Sequence, residues 1–172
     1  MKTLLAALAV SALAGAAQAA VVTVPMSLVT AEGTGADVGT IKLQDGAGGV
    51  RLILNLHGLP AGEHGLHLHQ NPSCAPATAD GKTTPAGAAG AHFDPEATKM
   101  HMGPEGKGHL GDLPRIQVGD DGTAKATLTA PRFKSVAELK GHALMLHAGG
   151  DNYTDQPPLG GGGARIACGV VG

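Results

Sequence analysis

Aromatic side chains are nearly absent from this sequence: no Trp, one Tyr and two Phe. Any core must therefore be packed from Val, Ile, Leu and Ala. A base-stacking platform for nucleic acid, which relies on aromatic faces, is disfavoured. A basic excess is missing too. Twelve Lys and Arg against 14 Asp and Glu leave a net charge of −2, which argues against the basic patch or stripe of a nucleic-acid binder. Charged residues make up only 15%, too few for a polyelectrolyte tail. Cysteine is limited to two, and no long apolar run follows the N-terminal segment. The 172 residues fit one domain of ordinary size.

Gly is abundant at 28, with 11 Pro, so the chain turns often. That suits an all-β fold with long loops. Nine His are the anomaly, and most fall between residues 57 and 109.

Residues 1–19 read as an export address: Lys2 is the charged start, Leu4 to Leu13 a short apolar stretch, and Ala17-Gln18-Ala19 a small-residue cleavage site. The stretch is short and Ala-rich for a spanning helix, and no Cys near the cleavage point offers a lipid anchor. The mature domain is expected to be residues 20–172, soluble and free of the membrane. Export places Cys74 and Cys168 in an oxidising compartment, where a lone pair reads as one disulfide closing a very large loop. The alternative is two free thiols, one of them a metal ligand, although neither has a C-x-x-C or C-x-x-H partner nearby.

Strand signals begin at Val21–Thr30 and continue through Gly39–Gln44. They are clearest at Val50–Leu59, where Val50, Leu52, Leu54 and Leu56 alternate with Arg51, Ile53, Asn55 and His57. His64–Gln70 is another short strand. Residues 71–114 carry no sustained period, and so long a loop in a compact domain is usually functional. Strands resume at Arg115–Val118 and Thr123–Thr129, with a hairpin signal between them at Gly119-Asp120-Asp121-Gly122. Val136–Leu139 reads as a short turn or helix, Ala143–Leu146 as a central strand, residues 149–163 as a second loop and Ala164–Val171 as a last strand. The expected fold is an eight-stranded antiparallel Greek-key barrel or sandwich with two long loops.

His67 and His69 flank Leu68 on a strand, so their side chains share a face about 7 Å apart and can reach one metal ion. H-x-H alone is a weak signal. Leu66, Leu68 and His64 fall on the opposite face, and His64 reads as a hydrogen-bonded structural residue. His92, His101, His109 and Asp112 form a four-donor set within one loop. Three imidazoles and a carboxylate suit a closed, tetrahedral zinc site. His147 ends a strand, with Asp151 four residues on as an acceptor for a ligand's second nitrogen. His57 and His142 read as non-ligands.

These residues sit in short motifs. They are His64-Gly65-Leu66-His67-Leu68-His69, Gly90-Ala91-His92-Phe93-Asp94-Pro95, Gly108-His109-Leu110-Gly111-Asp112 and Gly162-Gly163-Ala164-Arg165-Ile166-Ala167-Cys168-Gly169. In that order they resemble the copper/zinc superoxide dismutases, and Leu144–Tyr153 resembles their bacterial periplasmic branch. The resemblance implies copper on His67, His69, His92 and His147, and zinc on His92, His101, His109 and Asp112. It implies that His92 bridges the two metals. It makes Arg165 the anion guide over the copper, and Asp151 the link between a copper ligand and a zinc ligand. It also implies a Cys74–Cys168 disulfide pinning the loop to the last strand. The implied reaction turns two superoxide anions and two protons into O2 and H2O2, in the periplasm, and a homodimer stays open. Four imidazoles independently suit a Cu(II)/Cu(I) pair. Lys82, Lys99 and Lys107 are further candidates for drawing the anion in.

Three other readings compete. An exported metal carrier on the same fold needs no Arg165. A secreted zinc hydrolase needs an open zinc position, which a four-donor set does not leave. An adhesion-type sandwich leaves the His spacing unexplained.

Overall fold

Alternation of apolar and polar side chains builds the first strands. The computed structural model describes residues 21–172, so the leader read at residues 1–19 lies outside the described residues. In β3 (Gly49–Leu56) Val50, Leu52, Leu54 and Leu56 are buried, while Arg51 and Asn55 face water, as the period of two requires. β1 (Val21–Thr30) and β2 (Gly33–Gly46) pair with each other, and β2 pairs with β3 in turn.

The remaining strands are β4 (Gly62–His64), β5 (Leu66–His69), β6 (Ala77–Ala79), β7 (Lys82–Thr84), β8 (Ile116–Val118), β9 (Ala124–Ala130), β10 (His142–His147) and β11 (Arg165–Val171). Seven of them form one antiparallel sheet in the order β5-β10-β11-β1-β2-β3-β9, and β4 pairs with β8 beyond its β5 end. β4 and β5 are one extended segment broken at Gly65. With that segment taken as one strand and the β6–β7 hairpin left to its loop, the body has the eight strands that the sequence predicts. The chain crosses over from β3 to β4 and from β9 to β10, which gives the Greek-key connectivity.

The turn expected at residues 119–122 forms, with the Gly119 and Gly122 N–H groups bonded to the carbonyls of Thr123 and Gly119. It does not make a hairpin, however. β8 pairs with β4 and β9 with β3, so this short turn joins strands at opposite ends of the strand order, and the sheet must curl on itself to allow it. The core inside the curl is aliphatic, with Ile41, Leu43, Leu52, Leu56, Leu66, Leu68 and Leu144 fully buried and Phe133 its one buried aromatic. The long loop is less featureless than its composition suggests. It contains the β6–β7 hairpin and a 3-10 turn at Gly87–Ala89, while Val136–Leu139 is also a 3-10 turn.

A second, smaller apolar cluster lies outside the curl: Val29, Ala86, Ala89, Ala143, Met145 and Cys168, with Cys74 against it. It seats the first loop on β10 and β11, and the Cys74–Cys168 disulfide locks it there across a sequence separation of 94. Loop-closure entropy assigns such a bridge roughly 4–5 kcal/mol. Urea unfolding of a metal-stripped Cys74→Ser variant is expected to show a loss of that order. A loss below about 1 kcal/mol would mean that the small cluster holds the loop without the bridge.

Candidate metal centre

The outward face of β5 and β10 carries the first donors. In register, His67 stands opposite Met145 and His69 opposite Ala143, and the alternation of β10 puts His147 on the same side as Ala143 and Met145. β5 is an edge strand, and two stretches of the first loop cover its free edge. Leu68 N–H bonds to the Gly111 carbonyl (2.8 Å), Phe93 N–H to the Leu68 carbonyl (2.8 Å) and Gln70 N–H to the Ala91 carbonyl (3.0 Å). These bonds set His92 beside His69 and Asp112 beside His67. A side chain at Gly111 would fall on the Leu68 carbonyl oxygen, so only glycine permits this approach.

His67, His69, His92 and His147 are all buried, and one donor atom from each lies within 4.8 Å of the others. On each ring one nitrogen is bound within the protein. His67 Nε2 is 2.8 Å from Asp151 Oδ2, His69 Nδ1 2.9 Å from the Gly90 carbonyl, His92 Nδ1 3.1 Å from Asp112 Oδ1, and His147 Nδ1 3.1 Å from the Gly163 carbonyl. The other nitrogens, His67 Nδ1, His69 Nε2, His92 Nε2 and His147 Nε2, have no hydrogen-bond partner. Unpartnered buried polar atoms are costly and rare. Four in one cluster fit a metal ion that takes imidazole.

His92 also belongs to a second set. His92, His101 and His109 point Nδ1 at Asp112 Oδ1 from 3.1, 3.0 and 3.3 Å, and all four residues are buried. A tetrahedron with zinc–donor bonds near 2.05 Å has edges of about 3.3 Å, so the spacing fits zinc. His101 Nδ1 is close to Asp112 yet makes no hydrogen bond. Asp112 Oδ2 accepts Met102 N–H at 3.0 Å, and both carboxylate oxygens of Asp155 accept His101 N–H at 3.1 Å. Arg132 donates to the carbonyls of His109 and Gly108 at 2.8 and 3.0 Å.

Asp151 joins the two sets, with Oδ2 on His67 and Oδ1 on His101 Nε2 at 2.7 Å. At Gly160, in the left-handed region with φ +71°, a side chain would collide with Asp151 Oδ1. Arg165 donates to the Ala86 and Gly90 carbonyls at 2.6 Å each. The Gly90 carbonyl therefore serves both Arg165 and His69. Arg165 lines a surface concavity of about 430 Å³ with Gly90, Ala91 and Leu159. An adjoining concavity of about 360 Å³ is lined by His92, His109, Lys99 and Leu159, and Lys82 shares a third, of about 210 Å³, with Arg165.

Burial and neighbouring imidazoles keep His69, His92 and His147 neutral. His69 is pushed down to about 2 by burial and by His92. His147 is pushed down to about 3 by burial and by His67. His92 is lowered to about 4, mainly by burial, against its hydrogen bond to the Asp112 carboxylate. Burial opposes charge on His101 as well, but the carboxylates of Asp112 and Asp151 on its two sides prevail and raise it to about 9. Asp112 and Asp151 resist burial through their His hydrogen bonds and are held below the usual carboxylate range. Burial also lowers the Arg165 guanidinium.

The candidate ligands read from the sequence come together here with Asp151, Arg165 lies beside them on the Gly90 carbonyl, and Cys74 and Cys168 form the bridge that holds the first loop. His64 is the structural residue expected, 2.7 Å from the His147 carbonyl and 2.9 Å from that of Pro60. His57 and His142 stay out; His142 Nδ1 lies 2.8 Å from the Gln70 carbonyl. Met100 and Met102, which flank His101 in the sequence, are each 45% exposed. Sequence reasoning missed Asp155, Arg132 and the carbonyls of Gly90 and Gly163. Backbone acceptors carry no residue signature, and the two side chains act on backbone groups far away in the chain.

A sequence model of the copper/zinc superoxide dismutase family matches residues 38–171. Superoxide dismutase [Cu-Zn] 2 of Salmonella typhimurium is 53% identical over 99% of both chains. The Cu/Zn superoxide dismutase structure from Brucella abortus superposes with a TM-score of 0.87 at 51% identity, covering 89% of this chain and all of that one. The solution structure of the monomeric copper, zinc superoxide dismutase from Salmonella enterica gives 0.81 at 54% identity, with the same coverage.

The shifts carry a sign for the metal-stripped chain. Unfolded imidazoles take up protons near pH 6.5, whereas His69, His92 and His147 refuse them down to about 2, 4 and 3. Stability is therefore lost as pH falls below about 6.5, and Asp112 and Asp151 add to that loss below about 4. His101 acts in the opposite sense: its contribution is full below about 6.5 and disappears as pH rises through about 9. Urea midpoints of the chelated chain are expected to peak between about pH 6.5 and 8 and to fall on both sides. A midpoint that climbs steadily down to pH 5 contradicts the neutral state of His69, His92 and His147.

Proposed function

The chain belongs to the copper/zinc superoxide dismutase family, and on that premise we propose that His67, His69, His92 and His147 hold its copper, that His92, His101, His109 and Asp112 hold its zinc, and that Arg165 guides the substrate. The reaction is the dismutation of superoxide to O2 and H2O2, with copper and zinc as cofactors. The observation that carries the assignment is the set of four unpartnered ring nitrogens facing one another, three of them on rings whose other nitrogen is bound outside the zinc set. Copper, when bound, supplies the one-electron couple that zinc lacks.

His92 is the ring that belongs to both sets. Its Nδ1 faces Asp112, and its Nε2 faces the other three imidazoles. With the ring oriented from the Nδ1 side, Nε2 can hold a proton and release it to the reduced substrate, and water supplies the second. Asp112, His101 and His109 keep the ring in place through that exchange. The zinc set is complete with four protein donors, which leaves no open position for hydrolytic water.

Superoxide is a small anion approaching a chain of net charge −2, so local positive charge matters. Arg165 is tied to two carbonyls and faces the concavity beside Gly90 and Ala91. Lys82 and Lys99 line adjoining concavities and are favoured over Lys107 as secondary attractors. The export address read in the sequence at residues 1–19 and the Cys74–Cys168 bridge support a periplasmic enzyme that protects the cell envelope. The exposed large apolar side chains among the described residues, Val21, Met100, Met102, Leu159 and Val170, are spread over both loops, β1 and β11. That spread supports a monomer over a homodimer.

Arg165→Ala is expected to keep both metals, to lower kcat/KM about tenfold and to flatten its fall with ionic strength. Stopped-flow decay of superoxide at several salt concentrations reads both quantities. A variant with the parent's rate and salt slope contradicts the guiding role.

A further inference from the structure

Asp151 orients two rings at once, yet it stands on a loop. Oδ2 accepts from His67 Nε2, while Oδ1 accepts from His101 Nε2 and from the Tyr153 N–H at 2.8 Å. Its backbone carbonyl accepts Arg115 Nη1 at 2.8 Å. Arg115 is itself fixed. Its Nε is 2.9 Å from Glu63 Oε2, its guanidinium lies 5.1 Å from the Tyr153 ring centroid, and its N–H donates to Tyr153 Oη at 3.0 Å. Glu63 lies on β4 in register with Gln117 of β8, the strand that Arg115 leads into.

We propose that Arg115 is a positioning residue of the metal centre: it references Asp151 to the β4–β8 ladder and, through Asp151, fixes the outer nitrogens of His67 and His101. The consequence for the metals rests on the ligand assignment above. The half-exposed pair with Glu63 is worth little by itself; its effect is geometric, turning the guanidinium so that Nη1 meets the Asp151 carbonyl. The hydrogen bond to that carbonyl is charge-assisted, and the stacked ring adds a cation–π contact. Tyr153 sits at φ 61°, a backbone conformation that persists only when the surroundings hold it. Its ring, hydroxyl and N–H are all engaged here. Lysine offers one compact point of charge in place of a planar fork, so it can meet Glu63 or Asp151 but not both.

The test uses two readouts on Arg115→Gln and Arg115→Lys. The first is zinc release from the copper- and zinc-loaded chain to a chromogenic chelator. Arg115→Gln should release zinc about tenfold faster, the low end of the effect of losing a partner behind a ligand, and Arg115→Lys should not restore the parent rate. Adding Arg115→Gln to Asp151→Asn should cause no further acceleration. The second readout is NMR exchange of the ring N–H protons in the metal-free chain. His67 and His101 Nε2–H should exchange faster in Arg115→Gln, while His69 and His147 Nδ1–H, bonded to the Gly90 and Gly163 carbonyls, keep the parent rate. Glu63→Gln, an exposed change, should move both readouts in the same direction by less. Parent-like release, rescue by Lys, additivity with Asp151→Asn, or equal acceleration of all four ring protons overturns the proposal. A parent chain that takes up neither metal would refute the ligand assignment alone, and the exchange rates would still decide the role of Arg115.

Discussion

An imidazole has two nitrogens, and in a dry interior each needs a partner. The rest of this structure depends on how the protein settles one nitrogen of every histidine in the centre. Gly90, Gly163 and Asp151 occupy the outer nitrogens of His69, His147 and His67, which leaves the opposite atoms facing inward with nothing to bond. Asp112 does the same for His92 from the other side. Once those contacts are made, tautomer and ring orientation follow, and the inward nitrogens converge on one another. Burial then keeps His69, His92 and His147 neutral, the form that binds.

That arrangement is expensive in order, because most of its members sit on loops. The barrel supplies only His67, His69 and His147. Everything else is held by attachments from loop to body: backbone bonds along the free edge of β5, Arg132 on the carbonyls of Gly108 and His109, Asp155 on the backbone of His101, and the disulfide to β11. The small cluster of Ala86, Ala89, Ala143 and Met145 gives the first loop a seat. A core with almost no aromatic residues is sufficient beneath this, because the curled sheet buries a nearly continuous aliphatic set.

The body of the fold and the grouping of the candidate donors were legible in the sequence for specific reasons. Alternation in Val50–Leu56 gives a strand with one wet face. H-x-H on a strand puts His67 and His69 on one side, and the spacing from His92 to Asp112 collects four donors in one loop. His147 and Arg165 needed the family resemblance, since each stands alone in its own stretch of chain. The turn at residues 119–122 was visible, but its partners were not, because pairing is decided across the barrel and not by the turn. The β6–β7 hairpin lies in Ala- and Thr-rich chain whose side chains are all exposed, so no burial pattern announces it. Asp155, Arg132 and the link from Arg115 to Asp151 join residues far apart in sequence through main-chain atoms, which leave no motif to read.

The central claim is that one ring, His92, serves two metal ions. It is tested most directly by low-temperature EPR of the chain carrying Cu(II) in the four-histidine set and Co(II) in the His92, His101, His109 and Asp112 set, with metal content verified. A shared imidazolate couples the two spins, so the Cu(II) signal should be strongly quenched relative to the copper–zinc form. An undiminished Cu(II) signal with both sites filled would mean that His92 does not bridge, and the account of this centre would fail.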